Sequence, residues 1–258
     1  MKIGIITYHF ARNYGAILQC YALQEQLRSM GHDVWVLNFQ NDRQERNNSL
    51  HHKRDGFLSN LAVNVALLPF EGKRRSKERK FAEYESSHLH LTPRFYAIEE
   101  MRDFVNKEGF DLLISGSDQV FNPNIADFDE AFLFPFETSA RKGSFAASLG
   151  SATETDLIPF SDDLTSFDVL CVRENTDAPV VNRLCGRSPE VVDDPVFLLD
   201  SKRWAQAVDT SVEDRGYVLG YYINKEASVR YLELTEQVAS ELGLPLKVIN
   251  VRYGRDSF

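Results

Sequence analysis

The sequence predicts an α/β fold in which helices pack on a parallel β-sheet. Short apolar runs typical of buried strands alternate with longer segments whose apolar residues recur at helical spacing, along most of the 258 residues. Polar residues also cluster where several of these strand-like runs end. The chain is 43% hydrophobic and 26% charged, as in ordinary globular proteins, and is long enough for one large domain or two modest ones.

The first elements form a strand–helix–strand unit. "KIGIIT" (2–7) is typical of a buried strand, residues 14–30 carry apolar side chains at helical spacing, and "DVWVLNF" (33–39) is a second strand. Gly31 provides the stop between them. Because such a crossover is almost always right-handed and joins parallel strands, this unit predicts the start of a parallel sheet.

The alternation breaks between residues 40 and 95. The polar stretch "NDRQERNNSLHHKRDG" and the basic stretch "EGKRRSKERKFAEY" flank a short apolar helix candidate. We expect an exposed insertion whose helical face is solvated. The alternative is that its cations meet an anionic acceptor or a membrane surface. These cations are Lys73, Arg74, Arg75, Lys77, Arg79 and Lys80.

Regular alternation resumes after this segment. The pattern predicts helices at 97–107, 156–165 and 174–184, and strands at 111–115, 143–148, 168–172 and 190–194. A new unit follows, with a strand at 215–223, a helix at 226–242 and a strand at 245–251. We therefore predict an N-terminal domain at 1–200, with a basic insertion at about 40–95, and the incomplete start of a second domain at 201–258. Because so few elements bury little apolar surface, we expect the chain to be a fragment of a longer protein.

Composition and motifs exclude several classes of protein. The formal net charge of -9 excludes a globally basic nucleic-acid footprint. The N-terminus lacks the features of a signal peptide, and the apolar stretch at 61–70 is too short to span a bilayer. Cys20, Cys171 and Cys185 show no zinc or redox spacing, so we expect reduced thiols in a cytoplasmic protein. There is no HExxH or CxxC motif, and we expect no bound metal.

Polar side chains follow the first of the predicted strands. "TYHFARNYGAILQ" carries His9, Arg12, Asn13 and Tyr14 before Gly15. A glycine at this point lets the backbone approach a ligand, and the free amides at a helix start favour an anion. This stretch therefore predicts one wall of a binding site.

Two later strand ends carry more hydrogen-bonding groups than a turn requires. "GSDQVFNP" supplies Ser117, Asp118 and Gln119 after the strand at 111–115, and "RENT" places Arg173 before Glu174 at a strand-to-helix junction. Arginine there can form two parallel hydrogen bonds to a carboxylate or phosphate, or a structural ion pair with the adjacent glutamate. Since parallel strands end at one sheet edge, we expect one cleft there. Its predicted lining is Asn13, Tyr14, Gly15, Asp118, Gln119 and Arg173.

Taken together, these stretches resemble a known family. "ITYHFARNYGAILQCYALQEQL", "GSDQVFNP", "SFAASLG", "VRE" and "DDPVFLL" resemble the polysaccharide pyruvyl transferase family, in order, over essentially the whole chain. The resemblance implies two facing Rossmann-like domains of the GT-B type. Phe121 and Leu149 stand where the family usually has Trp and Phe. The resemblance also implies that a donor-binding segment with a catalytic histidine lies beyond residue 258, so we expect this chain alone not to catalyse transfer.

The resemblance implies an activity and roles for the predicted site residues. A pyruvyl group would pass from phosphoenolpyruvate to hydroxyls of a cell-envelope or exopolysaccharide precursor, with no cofactor. We expect Asp118 and Arg173 to be catalytic. We expect the substrate to contact Asn13, Tyr14, Gly15, Gln19, Ser117, Gln119 and Glu174. The alternatives are a GT-B sugar-nucleotide glycosyltransferase and a non-catalytic sugar-binding module.

The same resemblance extends to location and partners. A lipid-linked acceptor would bring a cytoplasmic protein to the inner face of the membrane, with contact through Lys73–Lys80. Uncovered apolar faces of "YVLGYYI" and "LKVINV" would favour pairing with another chain.

Overall fold

A parallel β-sheet forms the centre of the protein. The structure is a computed structural model that describes residues 1–49, 68–208, 216–222 and 225–250. Four strands pair in the order β2-β1-β3-β4, and all three pairings are parallel. These strands are β1 (Lys2–Ile6), β2 (Asp33–Val36), β3 (Leu112–Ser115) and β4 (Arg141–Ser144). The predicted α/β class with a parallel sheet is confirmed.

The sheet continues at both edges through isolated parallel bridges. Val36 pairs with Leu91 beyond β2. Beyond β4, Ala147 pairs with Val172 of β5 (Cys171–Val172), which in turn pairs with β6 (Glu190–Val191). The strands predicted at 143–148, 168–172 and 190–194 are thus shorter than expected. In the first of these, Ala146 has a φ of 51°, which interrupts the extended backbone after β4.

The helices lie in the connections between the strands. They are α1 (Tyr14–Ser29), α2 (Asp42–Asn47), α3 (Glu71–His88), α4 (Ile98–Glu108), α5 (Glu154–Leu157), α6 (Ser161–Thr165), α7 (Ala178–Cys185) and α8 (Ser201–Ala207). The predicted bounds of α1 and α4 agree with the structure to one residue. The helix predicted at 156–165 is divided, because Pro159 sits in a 3₁₀ turn between α5 and α6. The helix predicted at 174–184 begins four residues later, at α7.

The apolar core fills both faces of the sheet. Beside β3 and β4 it is rich in phenylalanine, and Phe121, Phe132, Phe134 and Phe167 are each at most 1% exposed. The strands are buried on both sides, which explains why they read as continuous apolar runs instead of alternating ones.

The segment predicted as an exposed insertion contributes to this core. One face of α3 is solvated, as expected, but Phe81 and Leu89 pack with Ile17, Cys20 and Val36. The segment therefore covers the β2 edge of the sheet, and "exposed insertion" describes only its outer face. Most of the apolar helix candidate between its two polar stretches lies outside the described residues.

The second strand–helix–strand unit is also present. Strands β7 (Val218–Tyr222) and β8 (Leu246–Asn250) are parallel, and α9 (Lys225–Leu242) packs against both. Leu219 and Tyr221 on β7 remain half-exposed. Within the described ranges, no helix combines the length and the apolar character needed to cross a membrane.

Replacing Phe81 with alanine tests whether α3 is part of the core. We expect Phe81→Ala to lower the free energy of unfolding by about 3 kcal/mol, because it opens a cavity between α1, α3 and β2. Chemical denaturation measures this change. Lys80→Ala, at an exposed position of the same helix, is the control. Equal stability of the two variants would show that α3 is only a surface addition.

Candidate functional site

The strand order creates a crevice at one edge of the sheet. β1 lies between β2 and β3, so the connections that leave the carboxyl ends of β1 and β3 run in different directions. In open parallel sheets, ligands bind at such a switch point. The polar loops "TYHFARN" and "GSDQ" both begin here.

Buried hydrogen bonds join these two loops. The Thr7 hydroxyl donates to the Ser117 carbonyl at 2.8 Å, and the Gln19 side-chain amide donates to the Thr7 hydroxyl at 2.8 Å. Gln19 is only 2% exposed. It therefore holds the loops together. Contact between Gln19 and a substrate stays a prediction.

Asp118 occupies an unusual backbone conformation directly after β3. Its φ is 83°, in a region that residues other than glycine rarely adopt. Its carbonyl accepts from the Ser148 amide at 2.9 Å, and its carboxylate accepts from the Gln119 amide at 2.8 Å. Strained conformations of this kind persist where surrounding contacts enforce them, and they are concentrated at functional sites.

Arg173 connects the loop of Asp118 to two other strand ends. Its Nε donates to Glu174 at 2.7 Å and its Nη1 donates to Asp194 at 3.1 Å. The Ser117 hydroxyl lies 3.4 Å from both Arg173 Nη1 and Asp194 Oδ2. The structural ion pair that the sequence left open is thus formed. In the sequence, Asp194 is only the last residue of the strand predicted at 190–194, and nothing near it predicts the hydrogen bond with Arg173.

The surroundings of Asp118 raise the pKa of its carboxyl group. Burial raises the pKa of Asp118 above its ordinary value of 3.8, and the charges of Asp194 and Glu174 raise it further. The Gln119 amide and Arg173 lower this pKa, but they do not outweigh burial. A carboxyl group of this kind exchanges a proton at higher pH than an exposed aspartate does.

The pKa values of the neighbouring carboxyl groups are shifted in opposite directions. Burial raises the pKa of Glu174, but its hydrogen bonds with Arg173, Ser148 and Asp177 and the charge of Arg173 together outweigh burial, so the pKa is lowered. Burial and the nearby Glu174 raise the pKa of Asp177, whose carboxylate accepts from the Leu149 amide at 2.9 Å. One guanidinium therefore stands among several carboxyl groups, an arrangement suited to neutral hydroxyl groups more than to anions.

Gln119 is fixed by the loop that follows β4. Its side-chain oxygen accepts from the Asn122 side chain at 2.8 Å and lies over Gly150. A Cβ at Gly150 would stand 2.4 Å from that oxygen, and the φ of Gly150 is 55°. Only glycine fits there without displacing Gln119.

Tyr14 lines a different cleft, between α1 and α3. This cleft has a volume of about 1020 Å³, and its lining includes neither Asp118 nor Arg173. The Asn13 side chain accepts from the Gly15 amide at 2.8 Å and so caps α1. The sequence predicted one cleft for all these residues. The structure brings Ser117, Asp118, Gln119, Arg173 and Glu174 together and places Asn13, Tyr14 and Gly15 at the start of α1. That the two groups act on one substrate stays a prediction.

The cleft beside Tyr14 combines an apolar floor with a basic rim. Phe81 lies 5.0 Å from the Tyr14 ring, centroid to centroid, and the ammonium of Lys77 lies 5.6 Å from the Tyr14 ring. The other cations that line the cleft are Lys73, Arg74 and Lys80. Among the residues that the structure describes, no group of three or more His, Cys, Asp or Glu side chains could hold a metal ion.

Comparison with protein families gives a match over most of the chain. A family model described as polysaccharide pyruvyl transferase matches residues 13–251, which is most of the chain. A search of curated proteins found no match. The matched range includes all of the predicted site residues.

The raised pKa of Asp118 predicts how stability depends on pH. Because the folded protein holds this proton more tightly than the unfolded chain, stability is lost as the pH rises from 3.8 through the higher folded value. Asp118→Asn removes this loss, and asparagine tolerates a positive φ. We therefore expect the variant to melt at a higher temperature than the wild type near neutral pH, with no such gain in strong acid.

Thermal unfolding between about pH 3 and about pH 8 measures this difference. Asp103→Asn, at a side chain that is 70% exposed, is the matched control. A difference between Asp118→Asn and wild type that does not change with pH would contradict the assignment.

Proposed function

Because this chain belongs to the polysaccharide pyruvyl transferase family, we propose that it moves a pyruvyl group from phosphoenolpyruvate to a sugar of a cell-envelope or exopolysaccharide precursor. The observation that carries the proposal beyond family membership is the carboxyl of Asp118. It is held after β3, beside Arg173, with a pKa above the ordinary value because of burial. This is the kind of group that proton transfer from a hydroxyl requires.

The reaction needs two proton transfers for each ketal formed. Two sugar oxygens bond to the central carbon of phosphoenolpyruvate, whose bond to the phosphate oxygen breaks. The methylene carbon gains one proton and becomes a methyl group, and the departing phosphate takes the other. Both protons come from the two sugar hydroxyls, so atoms and charge balance without a metal or a redox cofactor.

Asp118 is the proposed base for a sugar hydroxyl. A carboxylate with a raised pKa is a stronger base than an ordinary aspartate, and once protonated it can return the proton as an acid. Gln119 lies on the loop of Asp118, and Glu174 follows Arg173 on the loop after β5. Both side chains can hold the neighbouring hydroxyls by hydrogen bonds. The strained backbone at Asp118 fixes where its carboxyl stands.

Arg173 is better suited to positioning than to gripping the donor. Its guanidinium already pairs with Glu174 and Asp194. A donor phosphate would have to displace one of these partners from a region that carries several negative charges. We therefore propose that Arg173 fixes the two carboxylates and keeps the acceptor site in shape.

The remaining parts of the proposal concern architecture and acceptor. The β7–α9–β8 unit is parallel, as in the start of a second Rossmann-like domain, and we assign it to the second half of a GT-B-like pair. The basic, aromatic cleft between α1 and α3 suits the phosphate-bearing end of a lipid-linked saccharide. Such an acceptor would bring the protein to the inner face of the membrane.

A donor-consumption assay tests the reaction. In the purified product of the complete gene, we expect phosphate release from phosphoenolpyruvate only when a saccharide acceptor is added. Asp118→Asn should lower kcat by about 100-fold or more, because the proposed base is lost, whereas Asp103→Asn should have no effect. Arg173→Lys should retain more activity than Asp118→Asn.

Other results of this assay would favour the alternatives. Consumption of sugar nucleotides in place of phosphoenolpyruvate would indicate a glycosyltransferase. Saccharide binding with neither donor consumed would indicate a binding module. Unchanged kcat in Asp118→Asn would remove Asp118 from the mechanism.

The basic cleft predicts binding to anionic membranes. We expect the combined variant Lys73→Gln, Lys77→Gln, Lys80→Gln to bind phosphatidylglycerol vesicles at least about tenfold more weakly, since each cation near such a surface contributes about 1 kcal/mol. Vesicle sedimentation at low salt measures this.

A charge-matched control removes cations far from the cleft. Arg102→Gln, Lys107→Gln, Arg141→Gln changes the net charge equally, at side chains that do not line the cleft. If both triple variants lose binding to the same extent, the effect reflects net charge and not the cleft.

A further inference from the structure

A small polar cavity lies on the opposite flank of α3 from the basic cleft. It has a volume of about 210 Å³. Its polar lining comprises Arg12 after β1, Asn38 and Gln40 after β2, Glu85 and Ser86 of α3, and Arg94 beyond that helix. Since these residues follow the carboxyl ends of two parallel strands, the cavity opens at the edge where ligands bind in such sheets.

Arg12 reaches this cavity with most of its hydrogen-bonding capacity unused. Its Nη1 donates weakly to the Phe10 carbonyl, at 3.4 Å. Its nearest carboxylates, Glu78 and Glu85, are each 3.8 Å away, too far for a hydrogen bond. Its Nε is buried and has no partner among the described residues. The contacts with Glu78 and Glu85 are ion pairs without a hydrogen bond, so most of the five donors of the guanidinium have no acceptor among the described residues.

Arg94 lines the same cavity and likewise has few hydrogen-bond partners among the described residues. Its Nη2 donates to Glu45 at 2.9 Å, and its guanidinium lies 4.6 Å from the centre of the Tyr96 ring. Its Nε is likewise buried without a partner among the described residues. Two arginines that are 82 positions apart in the sequence therefore line one cavity, and each guanidinium makes one hydrogen bond to the described residues.

The negative charges near the cavity do not exclude an anion. Glu45 and Glu78 are 49% and 35% exposed, so solvent screens them. Glu85 is the carboxylate that lines the cavity, and it also lies 3.7 Å from the His9 Nε2. Asn38, Gln40 and Ser86 add polar groups that can bind the oxygens of a ligand.

We propose that this cavity binds a small oxyanion, a phosphate or carboxylate group on a body of no more than about three carbons. A volume of about 210 Å³ is larger than the cavity of about 150 Å³ that accommodates benzene, so it has room for such a molecule. Planar guanidinium groups match the oxygens of phosphate and carboxylate. That the occupant is the donor, phosphoenolpyruvate, rests on the proposed function, whereas oxyanion binding does not.

Calorimetric titration of the full chain with inorganic phosphate and with phosphoenolpyruvate, without an acceptor, tests the proposal. We expect Arg12→Gln and Arg94→Gln each to raise the Kd by about tenfold or more, because each removes a charged donor. Arg79→Gln removes a cation from the exposed face of α3 and should bind as the wild type does.

The relative affinities identify the source of the oxyanion. Tighter binding of phosphoenolpyruvate than of phosphate, in a manner that depends on both arginines, indicates the donor. Equal binding of the two indicates free phosphate. If Arg12→Gln fails to fold, as judged by circular dichroism, Arg12→Lys keeps the charge, loses the Nε donor and should bind more weakly than wild type.

Two outcomes would overturn the proposal. The first is no binding of either probe at millimolar concentration, which would mean that only water fills the cavity. The second is equal affinity in Arg94→Gln and Arg79→Gln. Failure of the proposed transfer reaction would look different: the probes would still bind in an arginine-dependent manner, but phosphoenolpyruvate would not be consumed when acceptor is added.

Discussion

The hydrogen bond from the Thr7 hydroxyl to the Ser117 carbonyl is the contact on which the arrangement of the site depends. It joins the loop after β1 to the loop after β3 at the switch point of the sheet, and both residues are fully buried. The Gln19 amide holds the same hydroxyl from α1. Ser117 in turn places its own hydroxyl beside Arg173 and Asp194, so the position of the carboxylate network follows from this one buried connection.

The charges around the carboxyl edge of the sheet are sorted by region. Carboxyl groups dominate around Asp118, two arginines and Glu85 line the small cavity beside α3, and lysines line the larger cleft on the other flank of that helix. This division is compatible with the proposed transfer between an anionic donor and a neutral hydroxyl, because carboxylates that activate a hydroxyl repel a phosphate. The helix α3 supplies one wall to each of the two cavities, and its buried Phe81 lies on the side of the lysine-lined cleft.

Much of the fold could be predicted from the sequence, because strands and helices follow from local periodicity. The bounds of α1, α4, β1 and β3 agree with the sequence to one residue. The predictions were less accurate after β4, where Ala146 departs from extended backbone and Pro159 divides a helix. They were least accurate for α3, which was expected to be exposed because it is rich in charged residues but which buries Phe81 on one side. The density of charged residues indicates which face of a helix is exposed to solvent, but it does not reveal what the opposite face packs against.

The sequence by itself determined the parallel α/β class, the family, and the polar strand ends that carry Asp118 and Arg173. These are local properties of apolar spacing and of short motifs. Only the tertiary structure decided that Arg173 pairs with Asp194, that Asp118 has a positive φ, and that Tyr14 faces a separate cleft. It also decided that Arg12 and Arg94 share one cavity. Such relations depend on strand order and on packing between distant segments, which no local pattern encodes.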